Sequence, residues 1–138
     1  MNETTDAELL REAWAVQEQS YSPYSKMRVG AVLRSSDGRT FRGCNVENAS
    51  FGLTVCAERS AISAAIASGV REFDTIAIVS DGARALMPCG ACRQVLLEFA
   101  PELRVLVESR DGHRIDMTLS ELIPNSFRPT DLPARNDS

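Results

Sequence analysis

Two short cysteine motifs, separated by about thirty residues, constrain the fold of this chain more than any other feature. They read Cys56-Ala57-Glu58 and Pro88-Cys89-Gly90-Ala91-Cys92. Both lie at predicted helix starts, and residues three apart, such as Cys89 and Cys92, share a helical face. Cys56 and Glu58 would point about 200° apart on a helix, so they can share one site only beyond its N-terminal end. The fold must therefore bring two helix N-termini together.

The three cysteines of these motifs are predicted to hold one Zn²⁺ per chain. A C-x-E followed by P-C-x-x-C is the three-cysteine form of the zinc-deaminase signature. Three protein ligands leave a position for water, as in catalytic zinc sites, whereas structural sites are closed by a fourth ligand. In this chemistry a zinc-bound hydroxide attacks an amidine-like ring carbon, and Glu58 is predicted to be the proton shuttle.

Two arginines follow these motifs directly, Arg59 after the glutamate and Arg93 after the last cysteine. Three thiolates around Zn²⁺ leave a net charge of −1, which disfavours a bound hydroxide. Hydrogen bonds from guanidinium groups to the sulfurs would draw charge from the metal, so both arginines are predicted to lie behind the ligands. Surface salt bridges are the alternative for each of them.

The remaining cysteine and the single histidine are expected to stay out of the metal site. Cys44 lies near the end of a predicted strand, where a lone cysteine is usually a small core residue rather than a fourth ligand. His113 follows the turn glycine Gly112 and is expected to be exposed to solvent.

Composition narrows the classes of partner. The 138 residues suit a single domain, 1–138, with a polar tail from about 124. The net charge is −4 and Lys26 is the sole lysine, so the basic surface of a nucleic-acid binder is missing. No apolar run approaches the length of a membrane span and no export signal is visible. A cytoplasmic protein with a small-molecule substrate is predicted.

Apolar periodicity predicts an α/β fold. A capping box at Thr5 opens the first helix, which carries Trp14 into the core, and Thr118 opens a last short helix. The other predicted helices span 55–68 and 89–99, and the predicted strands span 27–34, 39–46, 74–80, 103–108 and 114–117. This order favours a single-domain three-layer sandwich, with a mixed five-stranded sheet covered by helices on both faces.

With these motifs the chain resembles the small, homotetrameric, zinc-dependent cytidine deaminases, over about four fifths of its length. The matching segments are Ser22-Pro23-Tyr24-Ser25-Lys26, Gly43 to Phe51, Leu53 to Arg59, Pro88 to Gln94 and Leu122 to Phe127. The resemblance implies hydrolytic deamination of cytidine and 2′-deoxycytidine in pyrimidine salvage. It also implies a homotetramer whose sites are shared between subunits.

The resemblance further implies roles in substrate binding. Asn45 and Glu47 match the pair that holds the ribose 3′-hydroxyl, and the backbone N–H of Ala57 matches the group that meets the pyrimidine. Phe127 matches an aromatic residue that stacks near the base in a neighbouring subunit's site. Met27 stands where the family usually has phenylalanine, and it is expected to affect the choice among nucleoside analogues.

Three other functions are alternatives to the deamination of cytidine. A deaminase of a cytosine-containing antibiotic nucleoside would share the zinc motifs. A nucleotide deaminase would need cations for the phosphate, which Glu47 would repel. A non-enzymatic structural zinc module would need a fourth ligand and would have no use for Glu58.

Overall fold

Five strands pair into one mixed sheet in the computed structural model, which describes residues 5–133. They are β1 (Val29–Ser35), β2 (Thr40–Cys44), β3 (Phe73–Ser80), β4 (Arg104–Ser109) and β5 (Arg114–Thr118). Their order across the sheet is β2-β1-β3-β4-β5. The pairing of β3 with β4 is parallel, and the other three are antiparallel. The predicted mixed five-stranded sheet is confirmed.

Helices cover both faces of the sheet, as predicted. They are α1 (Asp6–Gln17), α2 (Ala57–Ala67), α3 (Gly90–Phe99) and the short α4 (Leu119–Leu122). Alternate residues of β3 divide the core, since Ile76 and Ile78 pack with α2 and α3. Ala77 and Val79 pack instead with α1, on the opposite face.

The carboxyl ends of β2, β3 and β4 lie at one edge of the sheet, beside the start of β1. Gly30, near the start of β1, pairs with Cys44 at the end of β2 and with Val79 near the end of β3, and β4 runs parallel to β3. The chain leaves both β2 and β3 at this edge and then enters α2 and α3, respectively. The N-termini of the two helices therefore lie at the edge where α/β proteins usually bind ligands.

A glycine sets how closely α2 lies against β2. A Cβ atom at Gly43 would come within 2.4 Å of Ala57 O and 2.5 Å of Ala61 N. No real side chain tolerates such contacts, so glycine is required here. The close approach fixes the first turn of α2 beside the end of β2.

The ends of the helices agree well with the sequence signals. The Thr5 side chain accepts a hydrogen bond from Glu8 N at 3.2 Å, and Thr118 forms a complete capping box. Gly69 follows α2 with φ of +83°, the left-handed conformation expected after a helix. The predicted single domain, 1–138, and the last part of the polar tail extend beyond the described residues.

Trp14 packs against the core, as predicted, but it is only half-buried and lies at the edge of the core. The buried residues of α1 are Leu9, Leu10, Ala13 and Gln17, and Trp14 packs against the cluster that contains the first three. Its Nε1 donates to Glu108 Oε1 at 2.7 Å, and the Arg110 guanidinium lies 4.2 Å from the ring centroid. Within residues 5–133, no helix combines the length and apolar character of a membrane span.

Candidate active site

The three predicted ligand cysteines meet at this edge of the sheet. The Sγ atoms of Cys56, Cys89 and Cys92 lie within 4.8 Å of one another, and Cys89 Sγ is 3.4 Å from Cys92 Sγ. Tetrahedral zinc with Zn–S bonds of about 2.3 Å requires sulfurs about 3.8 Å apart. The cluster therefore fits one zinc ion, and in the described part of the chain it is the one group of three or more such donors.

Two helix N-termini surround the sulfurs. Cys56 is the N-cap residue of α2 and Cys89 that of α3, while Cys92 is buried in the first turn of α3. The first backbone N–H groups of a helix have no partner within it, and the macrodipole adds positive potential there. This environment favours thiolates, as the ligands of a metal must be.

Hydrogen bonds among the thiols shift the pKa values of Cys56 and Cys92 in opposite directions. A hydrogen bond from Cys92, together with one from Arg59, lowers the pKa of Cys56 to about 5. The same contact with Cys56, added to burial, raises the pKa of Cys92 above its usual range. These contacts favour the thiolate form of Cys56, and binding of a metal would displace the remaining protons.

Arg59 lies behind the ligands. Its NH2 donates to Cys56 Sγ at 3.6 Å and to Thr54 O at 3.4 Å. The hydrogen bond with Cys56 raises the pKa of Arg59.

In the described structure Arg93 donates hydrogen bonds to backbone carbonyls and not to the sulfurs, so its place behind the ligands stays a prediction. Its Nε donates to Pro88 O and its NH1 donates to Leu122 O, both at 2.7 Å. One of these carbonyl groups lies just before Cys89, and the other lies in the last turn of α4. Arg93 therefore ties the metal-binding loop to α4, and it is not the surface ion pair of the alternative.

Glu58 is buried beside the cluster, with 6% of its surface exposed. Burial raises the pKa of Glu58 to about 7, and the neighbouring Cys56 thiolate also raises it. A carboxyl group with such a pKa can both accept and release a proton near neutral pH.

Asn45 lies in the loop that follows β2, across a bridge from Cys56. Val46 pairs with Val55 in an antiparallel bridge, so Asn45 and Cys56 flank the same bridge. Asn45 is buried, its Nδ2 donates to Met27 O at 2.8 Å, and its Oδ1 accepts from Val29 N at 2.9 Å.

Ser20 Oγ is a second donor to the Asn45 side-chain oxygen. Both lone pairs of that oxygen are therefore used, and one amide N–H is left for a ligand.

Glu47 is held by the backbone of the loop before β1. Its Oε1 accepts from Tyr24 N at 2.9 Å and from Ser25 N at 3.2 Å, and its Oε2 accepts from Ser25 Oγ. The hydrogen bond from the Ser25 hydroxyl keeps the pKa of Glu47 below its usual range. Each carboxylate oxygen has two lone pairs, so Oε2 retains one acceptor position.

A cavity of about 390 Å³ adjoins Glu47. It is lined by Tyr24, Ser25, Glu47, Phe51 and Thr54. Thr54 also accepts from Arg59 through its carbonyl oxygen, so one lining residue contacts the arginine that donates to Cys56. Glu47 presents its remaining acceptor position at this cavity.

The other predicted substrate contacts lie around these groups. Ala57 is buried at the first position of α2, where a backbone N–H lacks a partner within the helix. Met27 is half-buried, and Gly82 lies beside its Cε. Phe127 is 59% exposed, and its carbonyl oxygen accepts from Gln94 Nε2 at 2.8 Å.

Cys44 and His113 lie outside the metal cluster, as expected. Cys44 is half-buried, and burial raises its pKa, so this thiol stays protonated. His113 is exposed, but its Nδ1 accepts from Ala85 N at 3.0 Å. This contact supports the loop that leads to Cys89.

Sequence reasoning missed the polar groups that hold Asn45 and Glu47 in place. Ser20 and Ser25 are both part of this support. Ser25 lies in one of the segments that carry the family resemblance, but its residue type and position alone indicate no role. Serine is common in turns, and spacing along the chain does not reveal a contact with a carboxylate twenty-two residues away.

Known proteins share both the fold and the motifs. A family model described as "Cytidine and deoxycytidylate deaminase zinc-binding region" matches residues 3–108. The cytidine deaminase of Halalkalibacterium halodurans is 45% identical over 125 residues, which cover 90% of this chain and 95% of that protein. A blasticidin-S deaminase of Bacillus cereus is 37% identical over 111 residues, covering 75% of this chain and 79% of that protein.

Solved structures are similar over the same range. The crystal structure of cytidine deaminase from Burkholderia pseudomallei superimposes with a TM-score of 0.87 at 44% sequence identity. The match covers 89% of this chain and 99% of that one.

Proposed function

The chain belongs to the cytidine and deoxycytidylate deaminase zinc-binding family, and we propose that it hydrolyses cytidine and 2′-deoxycytidine to the uridines and ammonia. The observation that carries this proposal is the meeting of three cysteine sulfurs and one buried glutamate at two helix N-termini. Three ligands leave a coordination position for water, which suits hydrolysis and not a structural site.

Each group at the cluster has a part in the reaction. Zinc, when bound by the three sulfurs, supplies a Lewis acid that makes water nucleophilic near neutral pH. Glu58 takes one proton from the attacking water and gives it to the ring nitrogen. It then moves the remaining proton of the added hydroxyl to the amino group, so that the C4–N bond breaks, ammonia leaves and the C4 carbonyl forms. Its raised pKa, about 7, suits a group that must both accept and donate. Arg59 disperses the charge of the thiolates.

We assign sugar recognition to Asn45 and Glu47. The free N–H of the Asn45 amide would donate to the ribose 3′-hydroxyl, and the free lone pair of Glu47 Oε2 would accept from it. The Ala57 N–H would meet the pyrimidine, with Met27 and a neighbouring subunit's Phe127 against the base. A site that hydrogen-bonds a hydroxyl discriminates strongly against analogues without it, because its polar groups are then left unpaired.

The alternative substrate is an antibiotic nucleoside. The relative named as a blasticidin-S deaminase is less similar to this chain than the cytidine deaminase of Halalkalibacterium halodurans, and the match covers less of both proteins. Cytidine is therefore the favoured substrate. A phosphate next to the Glu47 carboxylate would be repelled, which disfavours a nucleotide.

We also propose a homotetramer whose sites are completed by neighbouring subunits. Large apolar side chains are exposed around the loops that carry the site, namely Tyr21, Tyr24, Val46, Phe51, Leu53, Val55 and Phe127. Apolar patches of this kind usually mark interfaces. A second copy of the chain would cover them, and the small exposed residues Ala64 and Ala67 allow α2 to pack closely in such an assembly.

The four free cysteines suit a protein of the reducing cytoplasm.

The proposal is tested by incubating the purified, zinc-loaded protein with cytidine and measuring uridine and ammonia. Equal amounts of the two products are expected, with a cytosine-containing antibiotic nucleoside turned over more slowly. The Glu58→Gln variant is the matched control for background hydrolysis. A zinc-loaded protein that leaves cytidine unchanged would contradict the assignment.

A further inference from the structure

The hydroxyl of Ser25 connects two parts of the substrate site. It donates to Glu47 Oε2, and it accepts from the backbone N–H of Met27 at 3.0 Å. Its proton is therefore directed to Glu47, which we assign to the sugar, and one of its lone pairs is directed to Met27, which we assign to the base.

The backbone around Ser25 adopts a conformation that needs such support. Lys26 has φ of +63°, in the left-handed region that residues other than glycine rarely adopt. Lys26 N donates to Ser22 O at 3.1 Å, which closes the turn. This turn directs the N–H groups of Tyr24 and Ser25 to the same oxygen of Glu47. The strained conformation persists because the hydrogen bonds around Glu47 hold it.

These contacts decide which acceptor Glu47 offers. Two backbone N–H groups occupy Oε1, and the Ser25 hydroxyl occupies one position of Oε2. Without that hydroxyl the carboxylate could rotate about its last side-chain bond, and its remaining lone pair would lose its direction. The Met27 N–H would also lose its acceptor.

We propose that Ser25 is a positioning residue for recognition of the sugar 3′-hydroxyl, acting by orienting Glu47. The inference rests on the proposed function, because it takes Glu47 to be the residue that binds this hydroxyl. Ser25 itself acts through the carboxylate and need not contact the nucleoside.

The test compares two substrates that differ only in the 3′-hydroxyl, 2′-deoxycytidine and 2′,3′-dideoxycytidine. In Ser25→Ala, kcat/KM for 2′-deoxycytidine should fall about tenfold, the scale of one hydrogen bond to a charged group. The loss should lie in KM, with kcat and zinc content nearly unchanged. For 2′,3′-dideoxycytidine the change should stay below about twofold, measured as an inhibition constant where turnover is too slow. Ser25→Thr, which keeps the hydroxyl, should restore discrimination.

Ser36→Ala is the control, because it removes an exposed hydroxyl from a turn outside the site and should leave the discrimination between the two nucleosides unchanged. Ser36 N donates to Glu72 O at 3.0 Å, and Ser36 is not among the Glu47 donors in the described structure. Equal losses on the two nucleosides in Ser25→Ala, or no loss on either, would overturn the inference and leave Ser25 as a turn residue.

The Glu47→Gln variant distinguishes failure of the Ser25 role from failure of the assignment of Glu47 to the 3′-hydroxyl. If this variant loses discrimination between the two nucleosides while Ser25→Ala keeps it, the role of Ser25 fails and the sugar site stands. If Glu47→Gln affects both nucleosides equally, the assignment of Glu47 to the 3′-hydroxyl fails, and the inference about Ser25 fails with it.

Discussion

The metal cluster and the loop of Asn45 and Glu47, which we propose to bind the sugar, lie side by side but are built in different ways. The cluster is formed at the first turns of two helices, and α2 is pressed against β2 at Gly43. The sugar-binding loop has little regular structure and depends on hydrogen bonds that converge on Asn45 and Glu47. In the proposed function, the chemistry would therefore rest on rigid elements of the fold, whereas substrate choice would rest on a loop.

This difference implies that the two regions respond differently to substitution. Changes at the cluster should affect metal binding or kcat for every substrate. Changes at the loop should affect KM and depend on the structure of the sugar. The following predictions test this separation, starting from the largest expected effect.

Loss of any ligand sulfur should abolish activity. Cys56→Ala, Cys89→Ala and Cys92→Ala should each lose zinc and turnover, because two thiolates cannot hold the ion in a catalytic geometry. Zinc content by atomic emission and cytidine turnover are the measurements. Cys44→Ala is the control and should keep both; loss of zinc in this variant would overturn the three-cysteine assignment.

Glu58→Gln should keep zinc and the fold, because glutamine preserves the shape of the buried side chain. It should lower kcat about 10²- to 10⁴-fold through loss of proton transfer. Steady-state kinetics on the zinc-loaded variant measure the effect. Turnover near that of the unmodified protein would remove Glu58 from the mechanism.

Arg59→Ala should lower kcat/KM about 10- to 100-fold, the usual cost of changing a residue behind a metal ligand. Excess negative charge at the sulfurs is the cause, so activity should fall more than zinc content. Arg93→Ala is an informative comparison, because Arg93 contacts carbonyl groups and not the sulfurs. Unchanged kinetics in Arg59→Ala would show that its contact with Cys56 is not needed for catalysis.

Phe127→Ala should have the smallest effect. A lost aromatic stack of about 0.5–1.5 kcal/mol corresponds to a rise of about 2- to 10-fold in KM for cytidine, with zinc content unchanged. Light scattering on the same samples reports the oligomeric state. A monomer with full activity would contradict the proposed sharing of sites between subunits.

Sequence reasoning succeeded where chemistry dictates spacing. The ligand set follows from two motifs at helix starts, since thiols can share a metal in few ways. The sheet follows from apolar runs such as 74–80, which lies within β3. Both inferences depend on local patterns that the chain displays directly.

Long-range polar contacts were not predictable in the same way. Arg93 binds two backbone carbonyls, one of them 29 residues away, and the sequence does not distinguish these acceptors from the nearer sulfurs. Trp14 lies at the rim because a partner for its indole N–H comes from Glu108 on β4. Such partners are known only when the fold brings distant residues together.

Zinc titration into the metal-free protein tests the central claim most directly. The account predicts that the rate of cytidine deamination rises linearly with added zinc and stops rising at one zinc per chain, with the Cys44→Ala variant behaving identically. Cytidine deamination that is unaffected by complete removal of zinc, or a break at a different stoichiometry, would contradict a single catalytic zinc on Cys56, Cys89 and Cys92.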